Sequence, residues 1–288
     1  MNKDELIMLF REIFSSCPGM YVEEADALSR ECIGMKLFDE PLIGFGDADD
    51  PLWERYRSRE VIGPWFMPPS SWMPQAQTVI SFFFPFSRQV RISNRGEPGK
   101  PSTEWVQARI QGQNFINAFL RLCLSGLARH DIKACAPALD SRFFQVEEGT
   151  VIGAASRAVA CSFDENSYTS CWSERHAAYV CGLGTFGLSK GLITARGICG
   201  RFGSLIAGTH FEADRRPYTG IYDYCSRCGI CVRRCPAGAI SLEEGKKHRP
   251  CKHWLIVSAE EYPRPYYGCG KCQTAVPCEA GIPVKRKQ

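Results

Sequence analysis

The spacing of apolar and polar positions marks out the first elements of this chain. From Lys3 to Phe14, Leu6, Ile7, Leu9, Phe10 and Ile13 recur at helical intervals and the pattern stops before Pro18-Gly19, which predicts an amphipathic packing helix. A second, short helix is predicted around Glu23 to Cys32. Thr78 to Phe84 is a continuous apolar, β-rich run closed by Pro85, as in a buried central strand. Ser87 to Pro101 is a polar excursion carrying Arg88, Arg91 and Arg95. The longest helical period follows, Ser102 to Arg129, with Trp105, Ile110, Phe115, Phe119, Leu122 and Leu127 recurring along it, Glu104 in the first turn and Ser102 as the cap. Ile132 to Leu139 again reads as a strand, interrupted at Pro137. Strand, long helix, strand predicts an α/β unit whose strand order stays open.

Two loop regions, Gly44 to Pro51 and Trp65 to Pro74, hold or adjoin Trp53, Tyr56, Trp65, Phe66, Met67, Trp72 and Met73. Core packing is the preferred reading of these side chains, and the wall of a cofactor or substrate cavity is the alternative. Farther on, Glu174 to Val180 predicts a helix capped by Ser173, with Gly182 just past its end. Gly182-x-Gly184-x-x-Gly187 formally matches a dinucleotide fingerprint. It follows a helix and runs into strand-like Leu192-Ile193-Thr194, however, which is the reverse of the context that fingerprint requires. Two readings of these glycines stand: backbone lying against a large flat cofactor, or a multi-glycine turn. Charge and Pro217 between Asp214 and Tyr218 mark a join that divides the chain into 1–216 and 217–288.

Length changes little in this picture: 288 residues at 44% hydrophobic suit one large or two modest domains. No apolar run reaches the roughly 18 to 20 residues that cross a bilayer, and charges are interspersed through Met1 to Phe14, unlike a signal peptide. A cytoplasmic protein with no membrane partner is expected. Sixteen cysteines change the picture more. Half of them cluster at metal-binding spacing in a long chain, which argues for a reducing compartment rather than a disulfide scaffold. Cys17, Cys32, Cys123, Cys135, Cys161, Cys171, Cys181 and Cys199 are scattered and are expected to act as buried small hydrophobes.

The stretch Cys225 to Pro236 reads C-x2-C-x2-C-x3-C-P. In such a run three thiolates converge on one 4Fe-4S cluster and the fourth points to a second, so one run predicts two clusters. Four more ligands are then needed, and Cys251, Cys269, Cys272 and Cys278 supply that number. Eight thiolates and two oxidised cores would bring the formal charge of +4 to about zero, which gives no support to a nucleic-acid partner. Basic patches at Lys246, Lys247, His248, Arg249 and Lys252, and at Lys285, Arg286 and Lys287, read as solvated surface.

Glu174-Arg175, the Gly182–Gly187 segment and Leu192-Ile193 resemble the Glu-Arg, Ala-Gly-Leu-Gly-x-x-Gly-Lys and Asn-Leu-Ile signature of epoxyqueuosine reductases and of their relatives, the corrinoid reductive dehalogenases. Arg249-Pro-Cys251-Lys-His-Trp-Leu255 and Gly268-Cys269-Gly-Lys-Cys272-Gln273 extend the resemblance, which covers roughly 168–282 and is loose before 160. It implies an α/β (α+β) nitroreductase-like domain followed by a ferredoxin-like module with two 4Fe-4S clusters. One cluster would take Cys225, Cys228, Cys231 and Cys278, the other Cys235, Cys251, Cys269 and Cys272. Cobalamin would bind base-off beside the nearer cluster, with a ferredoxin or flavodoxin as electron donor and a small molecule as substrate. On this chain Tyr168, Glu174 and Arg175 take the catalytic positions. His176, Gly182, Leu183, Gly184, Phe186, Gly187, Lys190 and His253 take the cofactor-binding ones.

Four departures bear on these expectations. Tyr168 stands where the epoxyqueuosine reductases carry an acidic proton donor; the dehalogenases use a tyrosine, and Asp164 and Glu165 are acidic substitutes nearby. Leu188 replaces the signature lysine, with Lys190 two residues on. Cys272-x5-Cys278 is longer than the usual spacing. The sequence stops ten residues after Cys278, where the tRNA-modifying relatives continue, and with the neutral loaded charge this disfavours tRNA as substrate. Two other functions compete: a flavin enzyme (FMN or FAD) of nitroreductase type, and a non-catalytic electron carrier or corrinoid-reducing protein.

Overall fold

The computed structural model describes residues 1–97, 99–153, 163 and 167–284. Its helices are α1 (Lys3–Ser16), α2 (Leu52–Arg55), α3 (Pro69–Trp72), α4 (Arg88–Ser93), α5 (Thr103–Ala128), α6 (Glu174–Val180), α7 (Ile230–Arg233) and α8 (His248–Ala259). Its strands are β1 (Leu42–Asp47), β2 (Thr78–Pro85), β3 (Ala134–Cys135), β4 (Gln145–Glu147), β5 (Thr150–Ile152), β6 (Tyr168–Ser170), β7 (Gly184–Phe186), β8 (Leu192–Thr194), β9 (Gly200–Ala207), β10 (Ile240–Ser241) and β11 (Gly245–Lys246).

All eight residues of β2 are buried because both faces of the strand are covered. Ile80, Phe82 and Phe84 enter the core that α1 and α5 close, while Val79 and Phe83 enter cores on the opposite face, beside α6. The sheet runs β1-β2-β9-β3 and every pairing is antiparallel. β2 and β3 therefore point the same way without touching, since β9 lies between them. The strand, helix, strand segment belongs to an α+β layer, not to a parallel sheet.

The long helix starts where its cap predicts: the Ser102 hydroxyl accepts from Trp105 N at 3.2 Å. α1 carries a capping box, with Asn2 and Glu5 satisfying each other's backbone N–H groups. Three expectations are corrected. Glu23 to Cys32 forms two separate 3-10 turns, Glu24–Asp26 and Arg30–Cys32, too short to bury a helical stripe. Ile132 to Leu139 has a two-residue strand and then a 3-10 turn opened by Pro137, whose missing N–H cannot extend the ladder. The polar excursion after Ser87 contains α4, capped by the Ser87 hydroxyl.

Aromatic side chains of the two loop regions pack as a core. Trp53, Phe66 and Trp172 stack with interplanar angles of 7°, 12° and 18°, and Trp72 meets Trp172 edge-on. Cys17, Cys32, Cys123, Cys171, Cys181 and Cys199 are buried and Cys135 is half-buried, while Cys161 lies outside the described residues.

No helix among the described residues is long and apolar enough to cross a membrane. Between the two halves of the chain, Asp214 is fixed to the start of the fold: it accepts from Phe45 N at 2.9 Å and pairs with Lys3 at 2.7 Å.

Candidate active site

Past Tyr224 the chain makes tight turns, with Arg227 and Gly229 in the left-handed region, and Gly229 leads into α7. Cys231 lies in this one helical turn, and Cys235 follows its end. Cys225, Cys228, Cys231 and Cys278 line one small cavity of about 20 Å³, together with Gly187, Leu188, Ile193, Ile198 and Val276. Cys235, Cys251, Cys269 and Cys272 line a second, of about 120 Å³, with Trp105, Arg109, Arg201 and Trp254. Among the described residues no three His, Cys, Asp or Glu side chains close on a single ion; the eight thiols surround two spaces instead.

The loop bearing the last thiols is held by the polar segment 87–101. Glu279, next to Cys278 and 5% exposed in its side chain, takes Arg95 at 2.7 Å, lies 3.9 Å from Arg91 and accepts from Ala275 N at 2.6 Å. Asn94 is buried at the end of α4, donates to Cys269 O at 2.9 Å, and through its own carbonyl accepts from Lys271 Nζ and Thr274 Oγ1. These bonds anchor the Cys272–Cys278 loop, and Cys278 lines one cavity with Cys225, Cys228 and Cys231.

A third and larger cavity, about 480 Å³, lies between the loop after β1 and the β5-β4-β6 flap. Of the predicted site residues Tyr168, Arg175, His176, Phe186 and Lys190 line it. The flap register sets Tyr168 opposite Glu147, and the Tyr168 hydroxyl donates to Glu148 Oε1 at 2.8 Å. Partial burial, reinforced by Glu148, pushes the phenol up to about 12. Its ring stacks on His248 at 5.4 Å. His176 is pressed between Tyr56 and Phe186, with Ser173 Oγ 2.7 Å from its Nδ1, and burial beside Arg175 lowers it to about 3. Burial and the cations Lys190, Lys246 and Arg175 lower His248 to about 4. Both imidazoles are thus neutral near pH 7, and the cavity's positive charge comes from Arg55, Arg175 and Lys190. Arg175 donates to the Lys190 carbonyl, which fixes the turn that carries Lys190 at φ 59°.

Several predicted residues lie elsewhere. Glu174 is not on the cavity wall: its carboxyl is buried under α6, without a hydrogen bond of its own, near Ser204 and Trp172. Burial raises it to about 7, against the weaker pull of those two groups. Gly182 has φ 78° and turns the chain off α6, where a Cβ would approach the Arg215 backbone. A Cβ at Gly184 would run into the Ile193 carbonyl across the β7–β8 hairpin. Leu183 is buried with Phe83 and Tyr218. These three serve chain geometry and packing, while Gly187 and Leu188 face the Cys225 cavity. His253 is exposed on α8, whose first residue, His248, is the histidine that reaches the cavity.

The patch at Lys246 to Lys252 is correspondingly not free surface. Lys246 lines the Cys235 cavity, Lys247 pairs with Glu244 and Lys252 with Glu147. Asp164, Glu165, Lys285, Arg286 and Lys287 lie outside the described residues. Sequence reasoning missed His248, Glu148, Arg109 and Arg201 as site residues. Only His248, three residues before Cys251, carried a usable signal.

A mixed α/β layer with a large cavity, beside two cavities each lined by four thiols, defines the class: a mixed α/β protein of iron–sulfur type. The 4Fe-4S binding domain family matches residues 218–241. The epoxyqueuosine reductase of Staphylococcus aureus is 29% identical over 123 residues, 40% of this chain and 31% of that protein. The trichloroethene reductive dehalogenase of Dehalococcoides mccartyi is 40% identical over 65 residues, 22% of this chain and 11% of that one. A crystal structure of epoxyqueuosine reductase with a tRNA-Tyr stem loop shares the fold at TM-score 0.54 and 18% identity, over 98% of this chain and 66% of that one. Parts of the chain are thus similar in sequence to an epoxyqueuosine reductase and to a reductive dehalogenase, and the chain spans well under the full length of each curated relative it matches.

Proposed function

We propose that this chain is an iron–sulfur reductase of two parts, a nitroreductase-like domain at 1–216 and a ferredoxin-like module at 217–288, acting on a small molecule. One observation carries the reading: the eight thiols sort four and four into two cavities, and the Phe186–Lys190 turn connects one of these to the large cavity. Phe186 and Lys190 face the large cavity, while Gly187, Leu188 and Ser189 between them face the thiols of Cys225, Cys228, Cys231 and Cys278. Each thiol set fits a 4Fe-4S cluster, and the Cys225 set is the nearer to the substrate. A ferredoxin or flavodoxin in a reducing, cytoplasmic setting supplies the electrons.

The large cavity fits a flat ring with a phosphate-bearing tail. Tyr56, Tyr179, Phe186 and Tyr222 give it aromatic walls, Arg55, Arg175 and Lys190 give it positive charge, and about 480 Å³ is in the range of small-molecule sites. Cobalamin, from the resemblance, is the reading we favour, and FMN or FAD shares the same recognition chemistry. Either group, when bound, supplies the redox chemistry that side chains lack.

The chain's own residues position ligand and proton. Tyr168 keeps its proton at neutral pH and presents it from the flap, and Glu148, hydrogen-bonded to its hydroxyl, is placed to return one. His176 and His248, both neutral, pack rather than donate a proton. Arg175 and Lys190 orient an anionic edge. The test is anaerobic reconstitution with hydroxocobalamin and, in parallel, FMN. A base-off corrinoid spectrum that survives gel filtration is expected. Retention of FMN alone selects the flavin enzyme, and retention of neither selects the electron carrier.

A further inference from the structure

The two thiol cavities differ in what else lines them. Among the described residues, the buried side-chain atoms without a hydrogen-bond partner are seven, and four belong to one wall: Arg109 Nε, Arg201 Nε, Trp254 Nε1 and Gln273 Oε1, all of the Cys235 cavity. The other three, on Ser81 and Glu174, lie under α6. Lys246 adds a further cation to the Cys235 wall. Among the described residues the Cys225 cavity has no Lys, Arg, Asp or Glu on its wall, only its thiols, small polar residues and apolar side chains.

A buried N–H with no acceptor costs about 1 to 3 kcal/mol, so three of them on one wall, two from guanidiniums, need an explanation. The surrounding protein supplies none. Arg109 lies with its guanidinium 4.1 Å from the centre of the Tyr267 ring, and Arg201 spends one nitrogen on Gln113 Oε1. Burial and the proximity of Arg109 lower Arg201 to about 9, so two like charges are held together on a wall that also carries four thiols. An anionic sulfur acceptor would satisfy all three N–H groups. The Gln273 amide, turned over, presents a donor to the same space.

Resting on the two-cluster reading above, we infer that Arg109, Arg201 and Trp254 donate to the sulfurs of the cluster held by Cys235, Cys251, Cys269 and Cys272, and give it the higher reduction potential of the two. Net charge and hydrogen bonds to sulfur are what set such potentials, and a cationic wall favours the form that has gained an electron. One electron leaves the ferredoxin- or flavodoxin-class donor, reduces this cluster, and passes on to the Cys225 cluster, reoxidising the first; no bond breaks and no proton moves. The donor-rich cluster is an electron store. The cluster in the apolar cavity is the stronger reductant, and it stands beside the large cavity.

The test is an EPR-monitored anaerobic redox titration of the holoprotein, with Cys235→Ser and Cys278→Ser used to assign the two components. The component lost in Cys235→Ser is expected at the higher potential. Arg201→Gln and Arg109→Gln are each expected to make its reduction at least tenfold less favourable, about 59 mV for one electron, and to leave the other component in place. Arg201→Lys, which keeps a charge but loses the fork, should shift it less. Assignment of the higher potential to the Cys225 set, an equal shift of both components, or no shift, overturns the inference. Should Arg201→Gln shed iron, Arg109→Gln decides alone, and no shift there overturns it. Iron near four per chain in the parent protein would instead remove the two-cluster reading, and the inference with it.

Discussion

Glu174→Gln tests whether the carboxyl of the Glu-Arg pair works in the cavity or is confined beneath α6. Burial places its folded value at about 7 against 4.5 for the free group. Between those values the native protein keeps a proton that the unfolded chain has released, so native stability falls as pH rises through the window. At 1.36 kcal/mol for each pH unit of that gap, the full cost is about 3 kcal/mol by pH 8. Glutamine is neutral throughout and removes the penalty. The variant should exceed the parent by about 3 kcal/mol at pH 8 and by roughly half that at pH 5.5. His176 and His248 titrate alike in both proteins and drop out of the difference. Anaerobic thermal melts at one scan rate measure it, at about 2 to 4 °C per kcal/mol for a chain of this size. A variant less stable at pH 8, or one whose difference does not change with pH, would refute the buried placement.

Three further outcomes are expected. Tyr168→Phe should lower turnover by about 100-fold with iron and cofactor content intact, as loss of a general acid does; unchanged turnover removes Tyr168 as the donor. Glu279→Gln breaks a buried carboxylate's contacts with Arg95 and the Ala275 amide at a cost of about 2 kcal/mol, discounted because Arg95 is half exposed. Its melting temperature should drop and the iron of the Cys278 cluster should be lost first; full iron retention with an unchanged melt contradicts the anchoring role. His248→Ala should weaken ligand binding in the large cavity while His253→Ala leaves it unchanged, and equilibrium binding of the cofactor separates them.

Local signals explain which elements could be read in advance. The Thr78–Pro85 strand, the Ser102 cap and the α6 helix from Glu174 rest on short-range periodicity, and the structure has each. The four-and-four grouping of thiols likewise goes with the three-residue gap between Cys231 and Cys235 in the sequence. Sheet order did not show itself, because β9 reaches the centre from far along the chain. Orientation was equally hidden. Glu174 and Arg175 are neighbours on one helix, yet one turns inward and the other lines the cavity. His253, two residues after Cys251, reads as a cofactor neighbour from sequence, whereas it is His248, at the start of α8, that meets the flap. The polar 87–101 segment reads as solvent-facing until Glu279 and the Cys269 loop supply its partners.

Iron and acid-labile sulfide per chain in anaerobically purified protein test the two-cluster reductase most directly. The account predicts about eight of each, falling to about four in Cys235→Ser with the Cys225 set intact. A parent value near four, or near zero after reconstitution, would contradict it.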